Sequence, residues 1–414
     1  MAKQNSIYKF PLAILLLAQF VSVIPYEVPF LSLVWLVWII ICSYYAFKII
    51  TEKNAYKVNF FAFVLVVFWI INAISYYISP KIVQSLLVEV ETLVIIKSIT
   101  ITLFTFFPFY YFAKHGFIKG NNLNGFVILL YIASFLYLLS GSFLQAQITL
   151  EDKNVVDQAY LFVQLIPLIM LFFKGRQLYI LMALSGLIIL WGSKRGAILC
   201  MAFEMLVFFI YLLKEEPFGK KHRGAILIVI SFMVLIGAYY VLENDFLQER
   251  LLNTGSGSDR SGEIRSERYI TLWTIYFNNS SISELLFGYG FAQTVTLGEG
   301  LAHQDWIELL IDNGFIGLFL YVLLIAINIK NIIKWNAIVP KVVKYALACV
   351  IIDWCLTSTY SMVYASRETY IMFITLGIIN GYIQKAKKEG LQSLKMRKRM
   401  VYNNSNMKSI KVSN

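Results

Sequence analysis

A histidine followed by three carboxylates is the group of residues best suited to chemistry. His303 comes two residues before Asp305, and Glu308 and Asp312 follow Asp305 by three and seven residues. This spacing places the three acids on one face of a helix. Histidine titrates near neutral pH and can accept a proton from a hydroxyl group. The acids near His303 favour a catalytic role for this histidine. The alternative is a structural histidine.

Arginines are unevenly distributed along the chain. Lysine dominates the segments predicted to be cytoplasmic, whereas the other polar segments contain more arginine than lysine. The planar guanidinium group suits phosphate or carboxylate, so we expect some of these arginines to bind an anionic group. The alternative is ion pairing with neighbouring acids. The arginines concerned are Arg195, Arg250, Arg260, Arg265, Arg268 and Arg367.

The composition places these residues in a membrane protein. Of the 414 residues, 59% are hydrophobic and 14% are charged, with a mean hydropathy of +0.68. Soluble domains contain about 25% charged residues. The composition excludes, for the whole chain, a DNA-binding protein, a secreted disulfide scaffold and a disordered regulator. Carboxylates inside a membrane helix are unfavourable unless they face a polar interior. The acidic helix face therefore predicts a hydrated cavity that opens outwards.

The apolar segments predict an all-α polytopic protein with about twelve transmembrane helices. The spans are expected at 10–25, 28–50, 58–78, 92–112, 123–144, 159–173, 178–192, 197–213, 224–242, 307–327, 345–360 and 369–384. With both termini cytoplasmic, 26 of the 36 Lys and Arg lie on the inner side, as the positive-inside rule requires. This arrangement gives one transmembrane domain, 1–384, which includes a large outer loop, 243–306, between spans 9 and 10. A basic cytoplasmic tail, 385–414, follows and is expected to contact anionic lipid.

Several motifs follow one another within about residues 180–330. They are Gly192-Ser-Lys-Arg-Gly-Ala197, Arg265 and Arg268, Leu286-Phe-Gly-Tyr-Gly290, His303-Gln-Asp-Trp-Ile-Glu-Leu-Leu310 and Asn313-Gly-Phe-Ile-Gly317. Together they resemble the motifs of the O-antigen ligase and Wzy-type polysaccharide polymerase superfamily. Gln304 stands where the family commonly has Asn or Ser.

The resemblance implies a GT-C-like, inverting glycosyltransferase that acts on undecaprenyl-diphosphate-linked glycans at the outer face of the bacterial inner membrane. It implies that an acceptor hydroxyl attacks the anomeric carbon and that diphosphate leaves. In this scheme the catalytic residues are His303, Glu308 and Asp305, and Arg367 and Asp312 bind substrate. The arginines that bind the diphosphate are Arg195, Arg260, Arg265 and Arg268. No cofactor, metal or nucleic acid is expected. The partners are a lipid-linked donor and acceptor, membrane lipid and a chain-length regulator.

Three alternatives stay open from the sequence. The motifs do not separate a polymerase of repeat units, which we favour, from a ligase that moves finished glycan to an acceptor. A metal-dependent transferase would use Glu89 and Glu91, whose spacing allows a shared divalent ion. A transporter would use Glu204, Asp353 and Lys97 within the spans. The chain contains no evident internal repeat, and its long arginine-rich outer loop favours chemistry over transport.

Overall fold

The computed structural model describes most of the apolar part of the chain. The described residues are 8–24, 29–52, 59–84, 89–118, 120–149, 158–192, 194–224, 260–298, 300, 302–335 and 338–389. The predicted ninth span, the first part of the predicted outer loop and most of the predicted tail lie outside these ranges.

Helices form nearly all of the described structure. A membrane-spanning backbone has to satisfy its own hydrogen bonds, which an α-helix does within one segment. In chain order the helices are α1 (Lys9–Val21), α2 (Pro29–Ile50), α3 (Phe60–Ile78), α4 (Thr92–Phe104), α5 (Phe106–Lys114), α6 (Asn124–Thr149), α7 (Ala159–Phe172), α8 (Gly175–Trp191), α9 (Arg195–Lys214), α10 (Pro217–Lys221), α11 (Arg260–Asn279), α12 (Ile282–Phe287), α13 (Gln293–Leu297), α14 (Asp305–Lys334), α15 (Lys341–Tyr360) and α16 (370–389).

Seven segments of the described chain are long and apolar enough to cross a membrane. They are Phe30–Ile50, Phe60–Ile78, Thr92–Lys114, Asn124–Ser142, Arg195–Lys214, Asp305–Lys334 and Lys341–Tyr360. Shorter apolar helices occupy Lys9–Val21, Ala159–Phe172 and Gly175–Trp191. The prediction of an all-α multi-pass membrane protein is therefore confirmed. The count of twelve spans, their orientation and the GT-C-like arrangement stay predictions.

Helix α7 lies at the centre of the bundle, where it packs against α8, α9 and α15. Nearly all of its residues are buried, including Gln164. A helix that is apolar on all sides belongs in the interior. Pro167 lies within it, as membrane helices tolerate when neighbouring groups compensate. Helix α7 therefore supplies a central wall against which α9 and α15 pack.

A short antiparallel hairpin stands between α3 and α4. Its strands are β1 (Ile82–Gln84) and β2 (Glu89–Glu91), with Val83 opposite Val90. Strand β1 contacts α13. Ser79, just before the hairpin, accepts a hydrogen bond of 2.8 Å at Oγ from the Phe291 N–H. The hairpin thereby joins the end of α3 to the polar segment that leads to His303.

Helix α14 is broken at Gly314. The backbone there has φ 63° and ψ −165°, a region that only glycine occupies readily. The break leaves carbonyl groups without partners in the helix. The segment after α12 supplies N–H groups that donate hydrogen bonds to these carbonyls. Tyr289 donates its N–H to the Ile311 carbonyl at 2.7 Å, and Gly290 donates to the Asp312 carbonyl at 3.3 Å. The two halves of α14 and the 288–292 segment therefore form one unit.

Candidate active site

His303 lies in a sharp turn immediately before α14. Its φ is 54°, a left-handed conformation that is uncommon for a residue other than glycine. The buried Glu308, one turn into the helix, accepts a hydrogen bond of 3.0 Å from the His303 N–H at Oε1. Strained backbone of this kind persists where surrounding contacts fix it. Glu308 thus holds the main chain of His303 in place.

Asp305 joins the start of α14 to the segment that follows α15. Its carboxylate accepts from the Val363 N–H at 3.1 Å and 2.9 Å and also accepts from the Tyr321 hydroxyl. The carboxylate is fully buried. Burial raises the pKa of Tyr364 in the same segment, and the negative charge of Glu308 adds to this effect. Asp305 therefore positions the 361–366 segment beside the histidine.

Asp312 accepts hydrogen bonds from the backbone N–H groups at the start of α13. Its Oδ2 accepts from the Ala292 N–H at 2.9 Å, and its Oδ1 accepts from the Thr294 N–H at 3.3 Å. A carboxylate at this place compensates the unpaired N–H groups of a helix start. Asp305, Glu308 and Asp312 thus all accept hydrogen bonds from main-chain N–H groups, and these bonds fix the segments around His303.

A cavity of about 490 Å³ opens beside His303. This volume lies within the range of small-molecule sites. His303 and Arg367, predicted separately from distant parts of the sequence, both line it. The three acids of the predicted helix face do not line it, because their carboxylates are turned to main-chain groups. The other lining residues are Val94, Ser98, Gln158, Tyr160, Gln164, Thr357, Ser361, Met362, Ser366, Glu368 and Thr369.

Arg367 is held at the cavity wall by aromatic residues. Its guanidinium carbon lies 5.6 Å from the centre of the Trp35 ring, a cation–π distance. Its Nη2 donates to the Tyr137 hydroxyl at 3.5 Å, and that hydroxyl donates to Glu368 Oε1 at 3.1 Å. These contacts fix the orientation of a half-buried positive charge at the cavity.

Arg195 is the first residue of α9, close to the wall of the same cavity. The next residue, Gly196, lies so near Tyr160 and Tyr360 that an added Cβ would be 3.1 Å from Tyr160 Cζ and 2.9 Å from Tyr360 Cβ. Glycine thus lets the start of α9 approach the lining residue Tyr160. The positive end of a helix favours anions, and Arg195, half-buried, adds a full charge there.

The remaining arginines predicted to bind the diphosphate lie on α11, whereas Arg250 lies outside the described residues. The guanidinium of Arg268 lies against Gly300, where an added Cβ would be 3.0 Å from its Nη2. Gly300 precedes His303 by three residues, so Arg268 reaches the segment that leads to the histidine. The side chains of Arg260 and Arg265 lie outside the described part, although their backbone belongs to α11. Helix α11 packs on α14 through Leu272 and Tyr276.

The cavity contains functional candidates that sequence reasoning missed. Tyr160 and Gln164 come from α7, Thr357 from α15, and Gln158 and Glu368 from segments before α7 and α16. One signal was available, because Gln164 interrupts an apolar span and polar residues in spans have functional roles. The others are common residue types at the ends of helices, and the sequence does not distinguish them from ordinary surface positions.

The residues of the two other hypotheses lie elsewhere. Glu89 and Glu91 alternate with Val90 on β2 and are both exposed. Across the described ranges, no group of three or more His, Cys, Asp or Glu is arranged to hold a metal ion.

The residues of the transporter hypothesis lie within the helices. Glu204 on α9 and Asp353 on α15 are buried, and Asp353 accepts from the Thr357 hydroxyl at 2.8 Å. Lys97 is half-buried and donates to Ser32 Oγ at 3.3 Å.

A comparison with known protein families gives a match to the segment that contains most of the candidate site residues. No protein with curated annotation matches the chain. The family model Wzy_C, described as O-antigen ligase, matches residues 180–322. The matched segment includes Arg195, α11, the 288–292 segment, His303 and the first half of α14. The match supports a membrane enzyme of the glycosyl-transfer type, in O-antigen ligase-type polysaccharide biosynthesis. The resemblance of residues 180–322 to the O-antigen ligase and Wzy-type superfamily is therefore confirmed.

Proposed function

We propose that this protein polymerises undecaprenyl-diphosphate-linked oligosaccharide repeat units at the outer face of the bacterial inner membrane. One observation carries the proposal: His303 and Arg367 line the same cavity, beside the α9 start that bears Arg195. A base and a fixed positive charge at one cavity, with Arg195 close to its wall, suit the transfer of a sugar away from a diphosphate. The family match over residues 180–322 supports the same type of reaction.

The proposed reaction is an inverting displacement. An acceptor hydroxyl forms a bond to the anomeric carbon as the bond from that carbon to the diphosphate oxygen breaks. The imidazole of His303 takes the hydroxyl proton, since histidine is an efficient base near neutral pH. The leaving diphosphate gains negative charge, which Arg195, Arg268 and Arg367 stabilise.

In this scheme the carboxylates hold other parts of the site in place and do not themselves react. Glu308 fixes the His303 main chain, and Asp305 fixes the segment that contains Met362 at the cavity wall. Asp312 holds the 288–292 segment on the broken helix. We assign these three residues to positioning, with Glu308 closest to the reacting base. A site of this kind needs such support, because small displacements of a catalytic group reduce the rate strongly.

A ligase is the second candidate function. The observation that favours it is the description of the matching family model as O-antigen ligase. In that case the same cavity would accept a finished glycan as donor and a different acceptor hydroxyl. The chemistry at the anomeric carbon is unchanged, so the positions of His303 and the arginines fit both functions.

A deletion of the gene in its host tests the proposed function. Surface glycan and lipid-linked glycan are compared on gels, with the wild-type gene on a plasmid as control. We expect the surface ladder to collapse to single repeat units. Full-length polymer that accumulates on its lipid carrier would instead identify a ligase. Unchanged surface and lipid-linked glycan would contradict both functions.

Arginine-to-lysine changes test the recognition of the diphosphate. Arg268→Lys and Arg367→Lys each keep the charge but lose the planar fork of donors. We expect each change to lower transfer by about 10-fold, the effect of one weakened hydrogen bond to a charged group. Arg265→Lys is measured beside Arg268→Lys, and Arg176→Lys, at the exposed start of α8, is the control. Wild-type transfer in both α11 variants would show that α11 does not bind the diphosphate through paired hydrogen bonds.

A further inference from the structure

Gln164 is an unusual residue of the cavity wall. It lies in the middle of α7, and only 1% of its surface is exposed. It nevertheless lines the cavity together with His303. Within the described part of the chain, neither its Oε1 nor its Nε2 has a hydrogen-bond partner. Gln164 therefore borders the cavity, and its buried amide has no hydrogen-bond partner within the described part of the chain.

The other buried amides of the described chain behave differently. Each makes at least one hydrogen bond to another side chain or to the backbone; these residues are Gln19, Asn59, Asn72, Asn313, Asn328 and Asn380. Leaving a buried polar group unpaired destabilises the folded protein. A leucine at position 164 would fill a similar volume without this penalty. An unpaired amide in the most buried helix of the bundle is therefore best explained by binding.

The surroundings of Gln164 indicate what it binds. Tyr160 precedes it by one helical turn and lines the same cavity, and Thr357 approaches from α15. The Thr357 hydroxyl donates to Asp353, so it meets a ligand as an acceptor. An amide offers one acceptor and two donor hydrogens. The cavity next to Gln164 thus presents both donors and acceptors, together with an aromatic ring.

This combination fits a sugar ring better than a phosphate group. Each sugar hydroxyl both donates and accepts, so two neighbouring hydroxyls can pair with the Oε1 and Nε2 of one amide. A phosphate presents only acceptors in its ionised form, which would meet the Oε1 and Thr357 lone pairs unfavourably. The guanidinium of Arg367, in contrast, presents only donors. The cavity therefore contains a neutral group suited to hydroxyls, Gln164, in addition to the charged residues Arg367 and Glu368.

We propose that Gln164 is a specificity-determining residue that binds two adjacent hydroxyl groups of a sugar ring in the cavity beside His303. The inference rests on the proposed glycosyl-transfer function and names the recognition of its substrate. Gln164 has no titratable proton, so it contributes to binding and orientation while His303 moves the proton. Its contacts would be made with the sugar, and those of Arg367 with the diphosphate.

Gln164→Leu tests the proposal in membranes that contain the full-length protein. The probe is lipid-linked glycan extracted from the deletion strain, and both KM and kcat are measured. We expect kcat/KM to fall by about 10-fold or more through the loss of two hydrogen bonds, mainly by a higher KM. Gln164→Glu keeps the size and an acceptor but removes the donor, and we expect it to reduce kcat/KM as well. The thermal midpoint of Gln164→Leu should equal or exceed that of the wild type, because no internal hydrogen bond is lost.

Gln19→Leu is the matched control. Gln19 is similarly buried on α1, accepts from the Tyr370 hydroxyl at 2.8 Å and does not line the cavity. Its replacement should leave KM unchanged while lowering the thermal midpoint.

A wild-type KM in Gln164→Leu would overturn the proposal. A lowered thermal midpoint or a loss of folded protein in this variant would also overturn it, because either would reveal an internal role for the amide. If deletion of the gene leaves all glycans unchanged, the proposed function fails; if only Gln164→Leu retains wild-type KM, this inference alone fails.

Discussion

His303→Ala is expected to abolish detectable glycan transfer, with a loss of about 10²-fold to 10⁴-fold in rate. The variant removes the base at the cavity but keeps Glu308 and the start of α14. Alanine cannot accept the proton of the acceptor hydroxyl. The measurement is the glycan ladder of the deletion strain that carries the variant, together with initial rates in isolated membranes.

His222→Ala provides the control for this change. His222 is exposed after α10, on a segment that does not line the cavity. Its replacement should leave the glycan ladder unchanged. Both variants should insert at wild-type levels, since the His303 side chain is exposed. Normal transfer by His303→Ala at a normal protein level would show that the cavity uses another base.

Gly314→Ala is expected to have the largest effect on stability. The φ of 63° and ψ of −165° at this residue are strained for alanine by about 1–3 kcal/mol. An added Cβ would lie 2.5 Å from the Leu286 carbonyl and 2.6 Å from the Gly288 N. The backbones have to separate to relieve this overlap, which adds about 1–3 kcal/mol. The Tyr289 and Gly290 hydrogen bonds to α14 would weaken at the same time.

The amount of protein in the membrane and the thermal midpoint in detergent measure this effect. Gly125→Ala is the control, because Gly125 lies in α6 with an ordinary φ and no atom within 4 Å of an added Cβ. That change should be neutral or slightly stabilising, as alanine favours helix formation. Equal midpoints for Gly314→Ala and Gly125→Ala would contradict the close backbone contact between α12 and the broken helix.

Hydropathy was sufficient to place most helices. The predicted spans 28–50, 58–78 and 159–173 coincide closely with α2, α3 and α7, because membrane helices need continuous apolar segments. The break at Gly314 was not predicted. The chain that approaches Gly314 is the end of α12 together with the turn after it. Such a turn has no periodic pattern from which to predict its partner.

The candidate site was predictable in part. His303 and Arg367 were chosen for their residue types, and the structure brings them to one cavity. The spacing of the acids predicted one helix face but not what that face contacts. Asp305 and Asp312 bind N–H groups that are 58 and about 20 residues away in the chain. Such pairings depend on tertiary packing, so helical periodicity alone does not reveal them.

The cavity has a consequence for the synthesis of the protein. In sequence order, the first residue that lines it is Val94 and the last is Thr369. The hydrogen bond between Asp305 and Val363 also joins α14 to the segment after α15. Chains emerge from the ribosome N-terminus first. A nascent chain therefore contains no complete cavity until Thr369, just before α16, has been made. The residues on the N-terminal side of the cavity have to wait in the membrane for those that close it.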